Sequence, residues 1–269
     1  MSENIIKAHG AHPFGLTWMA RRDGAHADML MDFGVMRMKK GDVYEENGDL
    51  EKAVLLVYGK VCFEWAGERH EEERANCFDI PPTALHCDRT AGIKITCLSE
   101  EAEINIMLTD NAKAFGCRLY LPKDTPDEFR GAGLMRETST RIVRTIFDYS
   151  NEPDANLVLG EVIGFPGKWS SYPPHTHPQP EIYYYKTNPE NGFGYGELGD
   201  NVVKVQNNDT VFIDPGLTHP HCTAPGYALW YLWVIRHLDG NPYKNPEYPV
   251  FLKEHLWVME KDAKYWGDK

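Results

Sequence analysis

The sequence lacks long hydrophobic runs and clusters of basic residues. No segment approaches the roughly 20 apolar residues that a membrane-spanning helix needs. Residues 1–18 also lack the basic stretch and apolar core that are typical of a secretion signal. The 40 acidic residues outnumber the 28 basic ones, which gives a formal net charge of −12. We therefore expect a cytoplasmic protein that binds neither nucleic acid nor a membrane surface, because both repel an acidic protein.

The sequence also has no Cys-x-x-Cys pair, so its cysteines do not show the usual spacing of a zinc or redox motif. Most of them lie in strand-like runs such as residues 94–98. We expect buried, reduced thiols, with a structural zinc site or disulfides as the alternatives. The six cysteines are Cys62, Cys77, Cys87, Cys97, Cys117 and Cys222.

Short runs rich in β-branched and aromatic residues make up most of the chain, and Gly, Pro, Asn and Asp separate them. This texture occupies residues 34–108 and returns between residues 138 and 237. Residues 109–137 are charged and rich in Gly and Pro, which is typical of a connection. We predict an all-β protein with an N-terminal domain at residues 1–130 and a C-terminal domain at residues 131–269.

The two halves share a local phrase, which indicates an internal duplication. Residues 74–86 and residues 208–219 each run from a turn through a short strand to proline and then histidine. Two similar barrels are the simplest explanation. Apolar residues near the end of the sequence recur at helical spacing, which predicts one short C-terminal helix packed on a barrel. These residues are Leu252, Leu256, Met259 and Ala263.

The most informative motif contains His175, His177 and Glu181. Even numbers of positions separate these residues, so one face of an extended chain can present all three. Two imidazoles and a carboxylate suit Zn, Mn, Fe, Ni or Co better than they suit calcium. We therefore predict one divalent metal ion as the cofactor. The alternative is a pair of turn histidines and a surface glutamate in an ordinary β-protein.

We predict a fourth metal ligand at His219, which follows a Pro-Gly turn at residues 215–216. His221 has the same parity and could bind the metal instead; otherwise we expect it beside the ligands or in contact with the substrate. The first half has no His-x-His motif, and His86 stands alone there. We expect an N-terminal barrel without a metal site, in which His86 is a packing residue.

The two phrases His-x-His-x-x-x-Glu and Pro-Gly-x-x-His resemble the signature motifs of the cupin superfamily. This resemblance implies a bicupin, with two jelly-roll β-barrels and the metal site inside the second. Further stretches are similar to the 5-deoxyglucuronate isomerases of inositol catabolism, a family related to the uronate ketol-isomerases. These stretches are Trp169-Ser170-Ser171-Tyr172-Pro173-Pro174-His175, Tyr183-Tyr184-Tyr185, Gly192-Phe193-Gly194 and Pro225-Gly226-Tyr227.

The resemblance implies a metal-dependent aldose–ketose isomerase that converts 5-deoxyglucuronate to 5-dehydro-2-deoxygluconate. This reaction needs a Lewis acid to polarise a carbonyl and its neighbouring hydroxyl, and a group that moves a proton between two carbons. A related isomerase that acts on a different sugar acid is one alternative. An iron-dependent oxygenase and a non-catalytic sugar- or metal-binding cupin are the others.

Four residues are candidates for moving the proton: His221, Glu197, Lys186 and Tyr183. Three tyrosines could donate hydrogen bonds to the substrate, and two arginines could bind its carboxylate. These substrate candidates are Tyr184, Tyr185, Tyr231, Arg144 and Arg236. Ordinary strand packing is the alternative for each of these residues. We expect the chain to bind a small sugar acid and to form a homo-oligomer.

Overall fold

The computed structural model describes residues 4–268, which consist mainly of antiparallel β-strands. The first part of the chain contains β1 (Ile5–Ile6), β2 (Gly15–Ala20), β3 (Asp32–Lys39), β4 (Val43–Glu46), β5 (Glu51–Trp65), β6 (Glu68–Arg74), β7 (Thr83–Cys87), β8 (Ile93–Cys97), β9 (Glu101–Thr109) and β10 (Cys117–Tyr120). The second part contains β11 (Glu128–Arg130), β12 (Arg141–Phe147), β13 (Leu157–Gly164), β14 (Trp169–Ser170), β15 (His175–Thr176), β16 (Glu181–Asn188), β17 (Phe193–Leu198), β18 (Asn201–Gln206), β19 (Thr210–Ile213), β20 (His221–Thr223), β21 (Ala228–Arg236) and β22 (Val250–Phe251). Short 3-10 helices occupy Ala27–Met29, Pro122–Asp124, Met135–Glu137 and Lys253–Met259. The all-β prediction is confirmed.

The N-terminal barrel is built around β5, a strand of 15 residues. The first part of β5 pairs with β7 and β9, and its second part pairs with β6 and β8. Gly59 lets the strand bend between these parts, because its φ is +99° and a Cβ there would lie 2.6 Å from Cα of Ala102. His86 is buried against Glu51 (Nε2 to Oε1, 2.9 Å) and stacks on Phe147, as expected for a packing residue.

The C-terminal half forms a seven-stranded sheet, β1-β19-β16-β21-β13-β12-β11, and a four-stranded sheet, β14-β20-β17-β18. Side chains alternate across the larger sheet. Tyr185 of β16 and Leu229 of β21 pack between the two sheets. Their neighbours Tyr184 and Trp230 pack against the N-terminal half, in a core that includes Phe33. Because β1 and β11 join this sheet from before residue 131, the domain division at residue 130 stays a prediction.

A buried carboxylate connects the two halves. Glu161 is fully buried and accepts hydrogen bonds from Arg74 (2.6 Å), Arg144 (3.0 Å) and Nε1 of Trp230 (2.9 Å). Arg74 lies at the end of β6 in the N-terminal barrel, whereas Arg144 and Trp230 lie in the C-terminal sheet. These donors offset the free-energy cost of removing the carboxylate from water.

The expectation of six reduced thiols is wrong for two of them. Cys87 and Cys117 form a disulfide, because β7 and β10 place them directly opposite each other. The other four cysteines are free, and three of these are buried. No short motif reveals the disulfide, since 30 positions separate its two cysteines along the chain.

The predicted C-terminal helix is present as the 3-10 helix Lys253–Met259, but its buried face differs from the prediction. Val258 is buried, whereas Leu256 and Met259 are 37% and 39% exposed. A 3-10 helix has about 3.0 residues per turn, so residues spaced for about 3.6 do not share one face. None of the helices in residues 4–268 is long and apolar enough to cross a membrane. A cytoplasmic location stays a prediction.

Replacing the buried carboxylate should destabilise the whole protein. We expect Glu161→Gln to lower the free energy of unfolding by about 3–5 kcal/mol, because two buried guanidiniums lose the negative charge that they share. Urea denaturation measures the change. Glu64→Gln is the control: Glu64 pairs with Lys94 at the surface, so its loss should cost less than about 1 kcal/mol. Equal losses in the two variants would contradict a connecting role for Glu161.

Candidate metal centre

Strand β16 provides the floor of the site. Its residues Glu181 and Tyr183 point into the C-terminal barrel, and Glu181 is the first residue of the strand. His177 precedes β16 by a short turn, and His219 lies in the loop between β19 and β20. Because β16 pairs with β19 from Glu181 to Tyr184, the ends of both strands lie side by side. The loop that follows β19 therefore places His219 next to Glu181.

Three of the four predicted ligands converge. Nε2 of His177 lies 3.2 Å from Oε2 of Glu181, and Nε2 of His219 lies 3.4 Å from the same oxygen. All three side chains are buried, and one ligand atom from each lies within 4.8 Å of the others. Two ligands about 2.1 Å from one ion are about 3.0–3.4 Å apart when they subtend octahedral or tetrahedral angles. The observed distances therefore fit a single divalent ion.

Hydrogen bonds to nearby carbonyls orient the three imidazoles. Nδ1 of His177 donates to the carbonyl of Gln179 (2.9 Å), and Nδ1 of His219 donates to that of Leu217 (3.0 Å). Nδ1 of His175 donates to the carbonyl of Pro173 (3.2 Å). Each carbonyl belongs to a residue two positions away. Bonding Nδ1–H in this way leaves the lone pair on Nε2, which is the form that binds a metal.

The chemistry of these side chains suits a cation. The lone pairs of two imidazoles and one carboxylate oxygen are acceptors, and acceptors at hydrogen-bond distance from one another repel. Burial lowers the pKa of His219, and burial lowers that of His175 well below the ordinary histidine value. These histidines are therefore neutral near pH 7. The donor set consequently fits the divalent ion predicted from the sequence.

His175 lies at the edge of the cluster. Its ring is 4.8 Å from that of His219, measured between centroids, and it lines the same cavity. It belongs to the short strand β15, which pairs with β22 through His175 and Phe251. The structure thus brings His177, Glu181 and His219 within ligand distance and places His175 beside them.

His221 lies behind His219 and outside the cavity. Its Nδ1 donates to the carbonyl of His219 (2.8 Å), and its Nε2 accepts from the hydroxyl of Tyr185 (2.5 Å). Burial lowers the pKa of His221 to about 3, so the ring is neutral. A Cβ at Gly196 would lie 2.4 Å from this ring, so the glycine makes room for it. The geometry favours His219 over His221 as the ligand.

The cluster of candidate ligands opens into a cavity of about 360 Å³. Tyr183 and Tyr231 line it: the Tyr183 hydroxyl lies 3.5 Å from Oγ of Ser171, and the Tyr231 hydroxyl donates to Oγ of Ser170 (2.9 Å). Burial raises the pKa of both tyrosines above the ordinary value. Both hydroxyls are therefore protonated. Tyr231 uses its single proton on Ser170, whereas the proton of Tyr183 can be donated inside the cavity.

Two predicted residues of β16 do not face this cavity. Tyr184 and Lys186 have even numbers and point to the opposite side of the sheet. The Tyr184 hydroxyl donates to Glu103 (2.9 Å), and Nζ of Lys186 bonds to Glu103 (2.7 Å) and Asn208 (2.6 Å). Tyr185 lies on the same face of β16 as Tyr183, but its hydroxyl donates to His221. Glu197 is also outside the cavity, where it accepts a hydrogen bond from Thr218.

The two predicted carboxylate-binding arginines are also placed elsewhere. Arg144 is buried between the halves, where it bonds to Glu161 and Asp127. Arg236 is buried at the end of β21 and donates to Thr109 (3.2 Å). Both arginines lie on the face of the sheet that packs against the N-terminal half. Alternation along the strands therefore excludes them from the metal cavity.

Sequence reasoning missed Arg141 and Tyr243, which both line the cavity. Arg141 lies on β12 three positions before Arg144, so the two side chains point to opposite faces. The two-residue alternation of a strand, applied to residues 141–145, predicts that Arg141 and Arg144 lie on different faces. Tyr243 packs its ring 5.0 Å from that of His177, but it lies in a loop without a recognisable motif.

A second and larger cavity, of about 840 Å³, lies between the two halves and contains Lys186. Glu103, Arg37 and Glu101 also line it, and Arg37 and Glu101 are paired (2.6 Å). In the described part of the chain, the only group of three or more His, Cys, Asp or Glu side chains close enough to share a metal ion is His177, Glu181 and His219. The candidate metal centre is therefore the smaller cavity.

The characteristic sequence pattern of the KduI/IolB family matches residues 6–258. The chain belongs to this family. A 5-deoxy-glucuronate isomerase from Geobacillus kaustophilus is 30% identical, over 97% of this chain and 96% of that protein. A 5-deoxy-glucuronate isomerase from Geobacillus thermodenitrificans is 29% identical, over 97% of each protein. The predictions of this family and of an isomerase are confirmed.

The fold is similar to that of an IolB-like protein from Salmonella typhimurium whose crystal structure is known. The two chains are 22% identical and superpose with a TM-score of 0.80, over 95% of this chain and 98% of the other. At this level of identity the likeness concerns the fold alone. It confirms the bicupin architecture predicted from the sequence.

Substitution of single residues should identify the metal ligands. We expect His177→Ala, Glu181→Ala and His219→Ala each to weaken metal affinity by more than about 100-fold, since losing a supporting partner alone costs about 10- to 100-fold. His221→Asn should retain the metal, because the amide can still donate to the carbonyl of His219. Elemental mass spectrometry of the purified variants gives metal per chain. Loss of metal from His221→Asn with retention in His219→Ala would reverse the assignment.

Proposed function

We propose that this chain converts 5-deoxyglucuronate to 5-dehydro-2-deoxygluconate, an aldose–ketose isomerisation in inositol catabolism. The observation that carries the proposal is the convergence of His177, Glu181 and His219 in a hydroxyl-lined cavity. The name 5-deoxy-glucuronate isomerase of the two Geobacillus relatives supports this substrate. A cytoplasmic homo-oligomer, with a metal site in residues 131–269 and none in residues 1–130, is part of the same proposal.

We propose His175, His177, Glu181 and His219 as the residues that hold one Zn, Mn, Fe, Ni or Co ion. When bound, the ion supplies a Lewis acid that polarises the carbonyl and neighbouring hydroxyl of the open-chain sugar acid. Neutral histidines and a single carboxylate cancel only half of a divalent charge. The ligand set therefore preserves positive potential where the substrate oxygens become negative.

Tyr183 is the proposed proton donor to the substrate. Of the four proton-transfer candidates it alone lines the cavity, and it follows Glu181 by two positions on the same face of β16. Its hydroxyl has a long contact to Ser171 (3.5 Å), which leaves the proton available to another acceptor. We infer that Oη of Tyr183 donates to the substrate oxygen on which negative charge develops, and that the shorter Tyr231–Ser170 bond positions the opposite wall.

Turnover in D₂O tests the reaction itself. We expect metal-loaded protein to convert 5-deoxyglucuronate to the ketose, with one deuterium at the new CH₂OH carbon, because a proton held by a protein group exchanges with solvent. NMR of the product measures both outcomes. Formation of the ketose without deuterium would indicate a hydride shift in place of proton transfer. No ketose, together with O₂ uptake by the iron-loaded protein, would overturn the isomerase and support an oxygenase.

Removing one hydroxyl tests the role of Tyr183. We expect Tyr183→Phe to lower kcat by about 100-fold or more, with little change in KM or metal content, because the proton donor acts in the transition state. Tyr184→Phe is a matched control, since Tyr184 lies on the other face of β16 and bonds to Glu103. Steady-state kinetics on both variants decides the point. A Tyr183→Phe enzyme with unchanged kcat would exclude Tyr183 as the donor.

A further inference from the structure

Arg141 occupies the wall of the metal cavity. It is the first residue of β12, and alternate residues of this strand line the cavity: Arg141, Val143 and Thr145. The intervening residues face the N-terminal half. Arg141 is partly buried, and its nearest charged or ionisable neighbours include Tyr183 and Tyr231, both of which lie in the cavity.

A second arginine lies beside it. Arg130 of β11 is directly opposite Arg141 in the antiparallel pairing, so the two side chains share one face and line one cavity. Like charges opposite each other on neighbouring strands repel. Arg130 is partly compensated by Glu128 (3.0 Å) at the surface. This pair of guanidiniums places two positive charges on one wall of the cavity.

Arg141 has no compensating carboxylate within ion-pair distance in residues 4–268. Its Nη1 donates to the carbonyl oxygen (3.0 Å) and the hydroxyl (3.3 Å) of Ser139, which are both uncharged. The more deeply buried arginines described above each have an acidic partner: Arg74 and Arg144 share Glu161, and Arg236 approaches Asp239 (3.5 Å). An arginine stays charged in proteins, so an unpaired one in a cavity favours an anionic ligand.

We propose that Arg141, assisted by Arg130, binds the carboxylate of the sugar acid. The inference rests on the proposed function and deepens it by assigning the two ends of the substrate. The planar guanidinium accepts a carboxylate through two parallel hydrogen bonds, which fixes orientation as well as position. With the acid end at β12, the carbonyl end of the six-carbon chain lies toward His177 and His219. The site therefore selects sugar acids over neutral sugars of the same length.

Kinetics on two substrates tests this selection. The pair is 5-deoxyglucuronate and 5-deoxyglucose, which has CH₂OH in place of the carboxylate. We expect Arg141→Met to lower kcat/KM for the acid by about 10- to 100-fold, mainly through KM, and to leave kcat/KM for the neutral sugar unchanged. Arg130→Met should have a smaller effect in the same direction. Arg118→Met, an exposed arginine on β10, is the control and should match the wild type.

Binding of D-gluconate separates this inference from the proposed reaction, because gluconate has a carboxylate but no carbonyl to isomerise. Titration calorimetry should show about 10- to 100-fold weaker binding to Arg141→Met than to wild type. If wild type does not isomerise 5-deoxyglucuronate but its gluconate affinity depends on Arg141, the proposed reaction fails and the inference stands. If turnover occurs and Arg141→Met keeps both KM and gluconate affinity, the inference is overturned.

Discussion

The alternation of side chains across the seven-stranded sheet is the constraint on which the site and the joint between the halves both depend. Along β16, Glu181 and Tyr183 enter the barrel, while Tyr184 and Lys186 meet the N-terminal half. A slip of one residue would exchange these two sets. It would bury a lysine in the cavity and separate Glu181 from His177 and His219. The candidate site therefore determines which side chains occupy one face of this sheet, and contacts with the N-terminal half determine which occupy the other.

The contacts on the second face fix that register. Tyr184 and Lys186 meet Glu103 of β9, and Arg74 of β6 reaches Glu161 of β13. Each contact pairs a buried donor with a buried carboxylate, so a shifted strand would leave charges without partners. The N-terminal barrel supports the chemistry in this way. It fixes the position of β16, which forms the floor of the cavity. None of the three clustered side chains, His177, Glu181 and His219, belongs to the N-terminal barrel.

The features that could be predicted from the sequence are local ones. The two short motifs predicted that His177, Glu181 and His219 converge, and the short runs of β-branched and aromatic residues predicted the all-β fold. The prediction for Arg144 is wrong because side chains alternate along β12, so Arg144 faces the N-terminal half and Arg141 faces the cavity. The pairing of Arg130 with Arg141 and the Cys87–Cys117 disulfide depend on which strands become neighbours. No periodicity within a single strand contains that information.

The pairing of β15 with β22 makes one wall of the candidate site depend on a distant part of the chain. His175 has its strand partner at Phe251, and the backbone N–H of Leu252 donates to the carbonyl of Pro174 (3.0 Å). The sheet that holds His175 consists of β15 and β22 alone, whereas Glu181 lies on β16, which pairs with β19 and β21. A chain that ended before residue 250 would keep His177, Glu181 and His219 but lose the strand that positions His175.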